Sequence, residues 1–155
     1  MEISYLADTF DLATDLIPGL LDHWRPLVPG DTWEARAAKL RLHMNRDQLP
    51  IGWLAHEGSR AIGTVALRTH DLPGREDLGP WLGGVYVTPE FRKGGVASLL
   101  CRTAEERARQ LGLRRLYLFT LDQQGLYAHL GWCHSERSSW GSLPVDIMIK
   151  ELSAG

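Results

Sequence analysis

Residues 81–120 constrain the fold more than any other stretch of the chain. WLGGVYV has the composition of a strand, TPEFRKGG of a turn, residues 95–111 the spacing of a helix, and RRLYLFT the composition of a second strand. Two strands of one sheet joined through a helix should lie parallel, with a right-handed crossover. The helix is expected to bury Val96, Leu99, Leu100, Thr103, Ala104, Ala108 and Leu111 and to turn Glu105, Glu106, Arg107 and Arg109 to water. Gly112 stops it. Gly83 and Gly84 inside the first strand weaken it, so they predict a bulge or a close backbone approach.

The flanking segments add strands and helices around this unit. ISYLA predicts a strand, after which Thr9 or Asp11 should cap a helix through DLATDLIPGLLDHW, kinked or split at Pro18 and Gly19. A second helix should follow Asp31 or Thr32, with Trp33, Ala37, Leu40 and Met44 inward and Glu34, Arg36, Lys39 and Arg41 outward. IGWLAHEGSRAIGTVALRTH predicts two strands turning at residues 56–59, and DLPGREDLGP a loop. DQQGLYAHLGW predicts a short helix and SLPVDIMIKEL a closing strand. The expectation is one mixed α+β domain over residues 1–155.

Charge and composition exclude several functions. A net charge of −2 and a pI near 6.3 leave no basic face for nucleic acid and no attraction to an anionic membrane. No apolar run approaches the roughly 18 residues of a spanning helix, and MEISYLADTFD is acidic where a secretory leader would be basic. A cytoplasmic protein is expected. Cys101 and Cys133 form no CxxC pair and are expected to be reduced and packed. His23, His43, His56, His70, His129 and His134 lack the i, i+4 spacing of a helical metal pair, so no metal is expected. Most of the six tryptophans should be core or pocket wall.

A strand ending at Val87 and a helix starting near Gly95 aim unpaired first-turn amides at one space, and that geometry binds phosphate. Glycine lets an anion approach the backbone, and Arg92 and Lys93 add charge. The plainer alternative is an ordinary strand-to-helix turn with solvated basic residues. Neither GxxxxGK followed by Ser or Thr nor GxGxxG occurs here, which disfavours a nucleotide triphosphatase or a Rossmann dehydrogenase.

The spacing of Arg92, Gly95 and Ala97 resembles the pyrophosphate-binding signature of the GNAT (N-acetyltransferase) superfamily of acyl-CoA-dependent acyltransferases. VYVTPEF resembles that family's cofactor strand and turn, and LYAHLGW at 126–132 its Leu-Tyr-x-x-Leu-Gly-aromatic segment. The strand-helix-helix-strand-strand opening fits the family's order, so the resemblance is specific over 81–132 and looser elsewhere. It implies a mostly antiparallel mixed sheet flanked by helices, with a parallel pair splayed around the acyl-CoA site. It also implies acetyl-CoA as co-substrate, with Arg92, Lys93, Gly94, Gly95, Val96, Ala97 and Ser98 at the pyrophosphate. Val85 and Val87 would pair with the pantetheine arm, and Asp122 would stand near the cofactor, its simpler role being a helix cap.

By the same resemblance Tyr127 is the acid that protonates the departing thiolate, against a plainer role packed in the core. Nothing in residues 81–84 titrates, so the base falls to Glu76 or Asp77, to His70 or Asp71 in the same loop, or to a water chain; Glu76 and Asp77 equally suit a solvated loop. The implied acceptor segments hold Trp24, Trp33, Trp81 and Trp140 with Asp22, Asp31, Glu34 and Asp77, a set suited to a small-molecule amine. A homodimer is allowed. Two alternatives stay open: a non-catalytic acyl-CoA sensor or interaction module of this fold, and a protein or peptide N-acetyltransferase.

Overall fold

The structure is a computed structural model that describes residues 1–153. β1 (Glu2–Tyr5) leads directly into α1 (Leu6–Ala13), and a short 3-10 turn joins α1 to α2 (Ile17–Trp24). The helix thus starts well before the expected caps. Thr9 lies inside it with non-helical angles and donates its hydroxyl to the Tyr5 carbonyl. Pro18 stands in the first turn of α2, where its missing N–H removes no helical bond, so the helix divides just upstream of it.

Thr32 caps α3 (Trp33–Leu42) by accepting the Ala35 amide. The inward face of α3 differs from the expectation. Trp33 is 44% exposed and Met44 37%, whereas Arg36 is buried beside Ala37 and paired with Asp31. An apolar count cannot anticipate a charge that carries its counter-ion inward.

β2 (Ile51–Glu57) and β3 (Arg60–Arg68) form the predicted hairpin, with Gly58 at φ +55° in its turn. β4 (Trp81–Val87), α4 (Val96–Gln110) and β5 (Arg115–Thr120) form the central crossover, followed by α5 (Gln124–His129), β6 (Cys133–Trp140) and β7 (Leu143–Glu151). The seven strands are ordered β1-β2-β3-β4-β5-β7-β6. Among the described residues only β4 and β5 run parallel, as predicted; every other pair is antiparallel.

The β4–β5 pair is joined at one register point, Trp81 opposite Tyr117. Beyond it no pairing follows, and a wedge opens between the strands. The bulge predicted from Gly83 and Gly84 is present: the β3–β4 register shifts between Thr64 and Ala66, and Gly84 has φ +61°.

Apolar clusters cover both faces of the sheet. On one, α4 places Val96, Leu100, Cys101, Ala104 and Ala108 against β2–β5 and β7. On the other, Leu6, Ala13, Leu16 and Leu20 pack on Leu54 and Tyr86, while Leu72 and Trp81 meet Val145 and Ile147. This double burial explains why β2 and β3 are apolar along their length. The sequence carries no strand pattern over β6; it is an edge strand, mostly exposed, so its polar sequence has no alternation to read.

Two expectations on the α4 side are corrected. Leu99 is exposed, and Glu105 is 2% exposed instead of facing water. Glu105 accepts from Lys150 Nζ at 2.6 Å and from the Trp132 indole at 3.4 Å. Cys101 is buried, but Cys133 is exposed rather than packed.

Candidate active site

The wedge between β4 and β5 opens into a cleft of about 720 Å³. Its walls are the backbone of residues 82–87, the C-terminal end of β5 with residues 121–123, the start of α4, and the end of α2. Val85, Val87, Arg92, Lys93, Gly95, Val96, Ala97, Ser98, Asp122 and Tyr127 all line it, so the fold brings together nearly all the residues expected at a cofactor. Gly94 is beside them in the turn but is not part of the lining.

The turn into α4 is shaped by its backbone. Gly95 is the N-cap residue at φ +84°, and Lys93 is the one non-glycine residue with positive φ among the described residues, at +67°. No side chain caps α4, and the amides of residues 93–95 make no backbone hydrogen bond among the described residues. First-turn amides have no partner within their helix. The result is a concave row of N–H groups at the positive end of a 15-residue helix. Arg92 is held over it: its Nε donates to the Val87 carbonyl at 2.9 Å and its guanidinium lies over the Tyr86 ring at 5.8 Å.

Tyr127 enters from α5, 8% exposed, with its ring edge-on to Trp132. Burial, and secondarily the neighbouring Cys101, pushes its phenol well above the ordinary tyrosine range. The hydroxyl therefore keeps its proton at neutral pH and is a donor in the cleft. Asp122 does not cap α5; the Thr120 hydroxyl accepts the Gln123 amide instead, at 2.9 Å, leaving Asp122 at the cleft.

The expected bases are placed elsewhere. Glu76 accepts the Gly74 amide, and Asp77 is bound by Arg75 at 3.1 and 3.0 Å. Arg75 also pairs with Glu136 of β6, so this ion set staples the 71–80 loop to the sheet edge and stands outside the cleft lining. Asp71 does reach the cleft, but its side chain is only 9% exposed and tied to Arg68 at 2.9 Å. His70 is not in the lining.

His23, on α2, is one of the six scattered histidines, with no sequence pattern that sets it apart. It lines the cleft, edge-on to Trp24 and Tyr86. Burial first, and then the nearby Arg92 charge, lower its pKa, so the ring is neutral and free to accept a proton. No periodicity marks it, because its role comes from the packing of α2 across β4. Of the expected acceptor tryptophans only Trp24 lines the cleft; Trp81 is fully buried under the 71–80 loop and Trp33 faces outward. No group of three or more His, Cys, Asp or Glu side chains is arranged to hold a metal among the described residues, and no described helix is long and apolar enough to cross a membrane.

Comparison with known proteins agrees with this geometry. The chain is similar in structure to an aminoglycoside 6'-N-acetyltransferase complexed with coenzyme A, at 19% identity and TM-score 0.75, covering 99% of this chain and 98% of that one. It is similar to the aminoglycoside 6'-N-acetyltransferase from Enterococcus faecium, at 18% identity and TM-score 0.72, over 99% and 98% of the two chains. The ribosomal-protein-alanine N-acetyltransferase from Brucella melitensis aligns at 19% identity and TM-score 0.69, over 98% and 100%. No curated protein matches the chain. Residues 17–132 match the family model described as the acetyltransferase (GNAT) family. That match spans well over half of the chain and includes the wedge, the amide cradle and Tyr127, and the chain belongs to the GNAT family of acetyltransferases.

Proposed function

We propose that the chain is a single-domain acetyltransferase that moves an acetyl group from acetyl-CoA to a primary amine of a small molecule. The observation that carries this reading is the wedge itself. A strand edge free of pairing, an amide cradle and a protonated phenol face one cleft of about 720 Å³. The cradle, with Arg92 and Lys93, suits the pyrophosphate of coenzyme A. The edge of β4 that has no strand partner offers peptide groups at Val85 and Val87 to the pantetheine amides, the Val87 carbonyl being already bound by Arg92 Nε. The residues present therefore fit the cofactor, which supplies the thioester carbon that the amine attacks.

In this reading the chain's main contribution is to hold acceptor and thioester in one gap. Tyr127 donates to the sulfur as the C–S bond breaks. The attacking amine must shed a proton, and in the cleft the neutral His23 ring is the accepting group, in preference to Glu76 or Asp77. The expected absence of a nucleic-acid partner rests on charge: the chain is mildly acidic and has no basic stripe.

The test is calorimetry with acetyl-CoA, ATP and NAD, followed by a thiol-release assay on amines, amino acids, aminoglycosides, polyamines and lysine peptides. Heat with acetyl-CoA alone and turnover of one small-amine class support the reading. Heat with ATP or NAD instead refutes the cofactor, and turnover confined to peptides refutes the acceptor class. Tight acetyl-CoA binding without turnover of any acceptor favours a sensor of the same fold.

A further inference from the structure

A second hollow, of about 30 Å³, lies between α3 and the β3–β4 bulge and shares Trp24 and Gly84 with the main cleft. Three cationic side chains line it: Arg36, Lys39 and Arg68. Arg36 is neutralised by Asp31, which accepts from its Nε at 3.0 Å. Arg68 is held at two corners. Its Nη1 donates to Asp71 at 2.9 Å, and its Nε donates to His43 Nε2 at 2.8 Å. His43 in turn uses Nδ1 on the Lys39 carbonyl at 2.6 Å.

The third corner of Arg68, Nη2, is aimed at the bulge, 2.8 Å from where a Cβ on Gly84 would stand. Lys39 pairs with no carboxylate among the described residues. Two carboxylates thus face three cations, and one positive charge is left over. Holding an unbalanced cation in a half-buried hollow disfavours its charged form; burial, then Arg68 and Arg36, lower the Lys39 pKa to about 8. An arrangement unfavourable when empty becomes favourable when an anion enters.

We propose that this hollow is a carboxylate subsite, and that the acceptor is a carboxylate-bearing amine of the α-amino-acid type. Its carboxylate would lie between Lys39 Nζ and Arg68 Nη2, and its amine would project past Gly84 into the cleft. The volume favours a planar carboxylate over a bulkier phosphate. The inference rests on the acetyl-transfer reading above and narrows its acceptor. It also replaces the expectation of a carboxylate-lined acceptor site: Asp31 and Asp77 are already committed to Arg36 and Arg75.

The experiment is a thiol-release assay with acetyl-CoA on matched pairs: α-amino acids against their decarboxylated amines and their amides, with kanamycin as a carboxylate-free polyamine. The carboxylated member of at least one pair should have kcat/KM about ten-fold or more above its partners, the scale of one charged hydrogen bond. Lys39→Gln should collapse that ratio through KM more than kcat, and Lys39→Arg should keep much of it. Because Lys39→Gln removes an unbalanced, half-buried charge, its Tm should not fall, which separates lost recognition from lost folding. Equal or better turnover of the decarboxylated members overturns the proposal, as does a panel in which no carboxylated amine is used. A Lys39→Gln defect confined to kcat also overturns it, since that would mark proton transfer rather than binding. Calorimetric binding of acetyl-CoA, run alongside, separates the levels. Heat without carboxylate selectivity sinks only this inference, whereas no heat sinks the acetyl-transfer reading beneath it.

Discussion

His43 is a buried ring whose two nitrogens are both engaged. Its Nδ1–H donates to the Lys39 carbonyl, so Nε2 is left to accept from Arg68. Burial disfavours a second proton on the ring, and the Arg68 guanidinium facing it adds to the penalty; the pKa is lowered from 6.5 to about 4. The unfolded chain takes up this proton near 6.5 and the folded chain only near 4. Stability from this residue is therefore present above pH 6.5 and is lost as pH falls toward 4. Between pH 7 and pH 4, wild type should lose up to about 3 kcal/mol more than His43→Gln in urea unfolding. Parallel curves for the two proteins would remove the argument.

Tyr127 is tuned in the opposite sense, kept protonated by burial. Tyr127→Phe should lower kcat on the order of 10²-fold while leaving the Kd for acetyl-CoA nearly unchanged. Unaltered turnover would reduce the residue to core packing against Trp132.

At the scale of an element, the start of α4 combines one favourable and one strained left-handed residue. Gly95 at φ +84° has open space where a Cβ would be, so only its backbone conformation resists substitution. Gly95→Val should destabilise by roughly 1–2 kcal/mol, a few degrees of Tm, and weaken acetyl-CoA binding far more than that loss explains. Lys93, at φ +67°, bears a side chain in the same disfavoured region. Lys93→Gly should raise stability by about 1 kcal/mol and weaken acetyl-CoA binding. If it binds acetyl-CoA as tightly as wild type, the lysine charge has no part in the cradle.

Across the whole molecule, the splayed sheet has two halves that meet at Trp81 and Tyr117, and α4 packs beneath both. An ion pair with a buried carboxylate helps fasten them: Glu105 on α4 binds the part-buried Lys150 on β7, and Lys150 also donates to the Leu130 carbonyl at 2.8 Å after α5. Removing one partner strands a charge. Lys150→Met or Glu105→Leu alone should cost about 3–5 kcal/mol, and the double replacement should recover most of it. Urea unfolding of the three variants tests this, and additive losses in the double variant would show that the charges do not depend on each other.

The sequence by itself determined what is local. A strand interrupted by Gly83 and Gly84, an Arg-x-x-Gly-x-Ala turn and a helix ending before Gly112 are short-range patterns, and the structure contains each. They sufficed for the parallel pair, the bulge and the cradle, because dihedral preference and helix periodicity act within a few residues. Only the tertiary structure decided which charges are buried and what faces the acceptor. Arg36 and Glu105 have the spacing of solvent-facing residues, yet both are inside because Asp31 and Lys150 meet them there. Glu76 and Asp77 are near the cleft in sequence but engaged outside it, whereas His23 and Lys39, far from the motif, come to the cleft and its adjoining hollow. The reason is physical: an ion pair or a cleft wall is a contact between distant segments, and no one of those segments carries a pattern that encodes it.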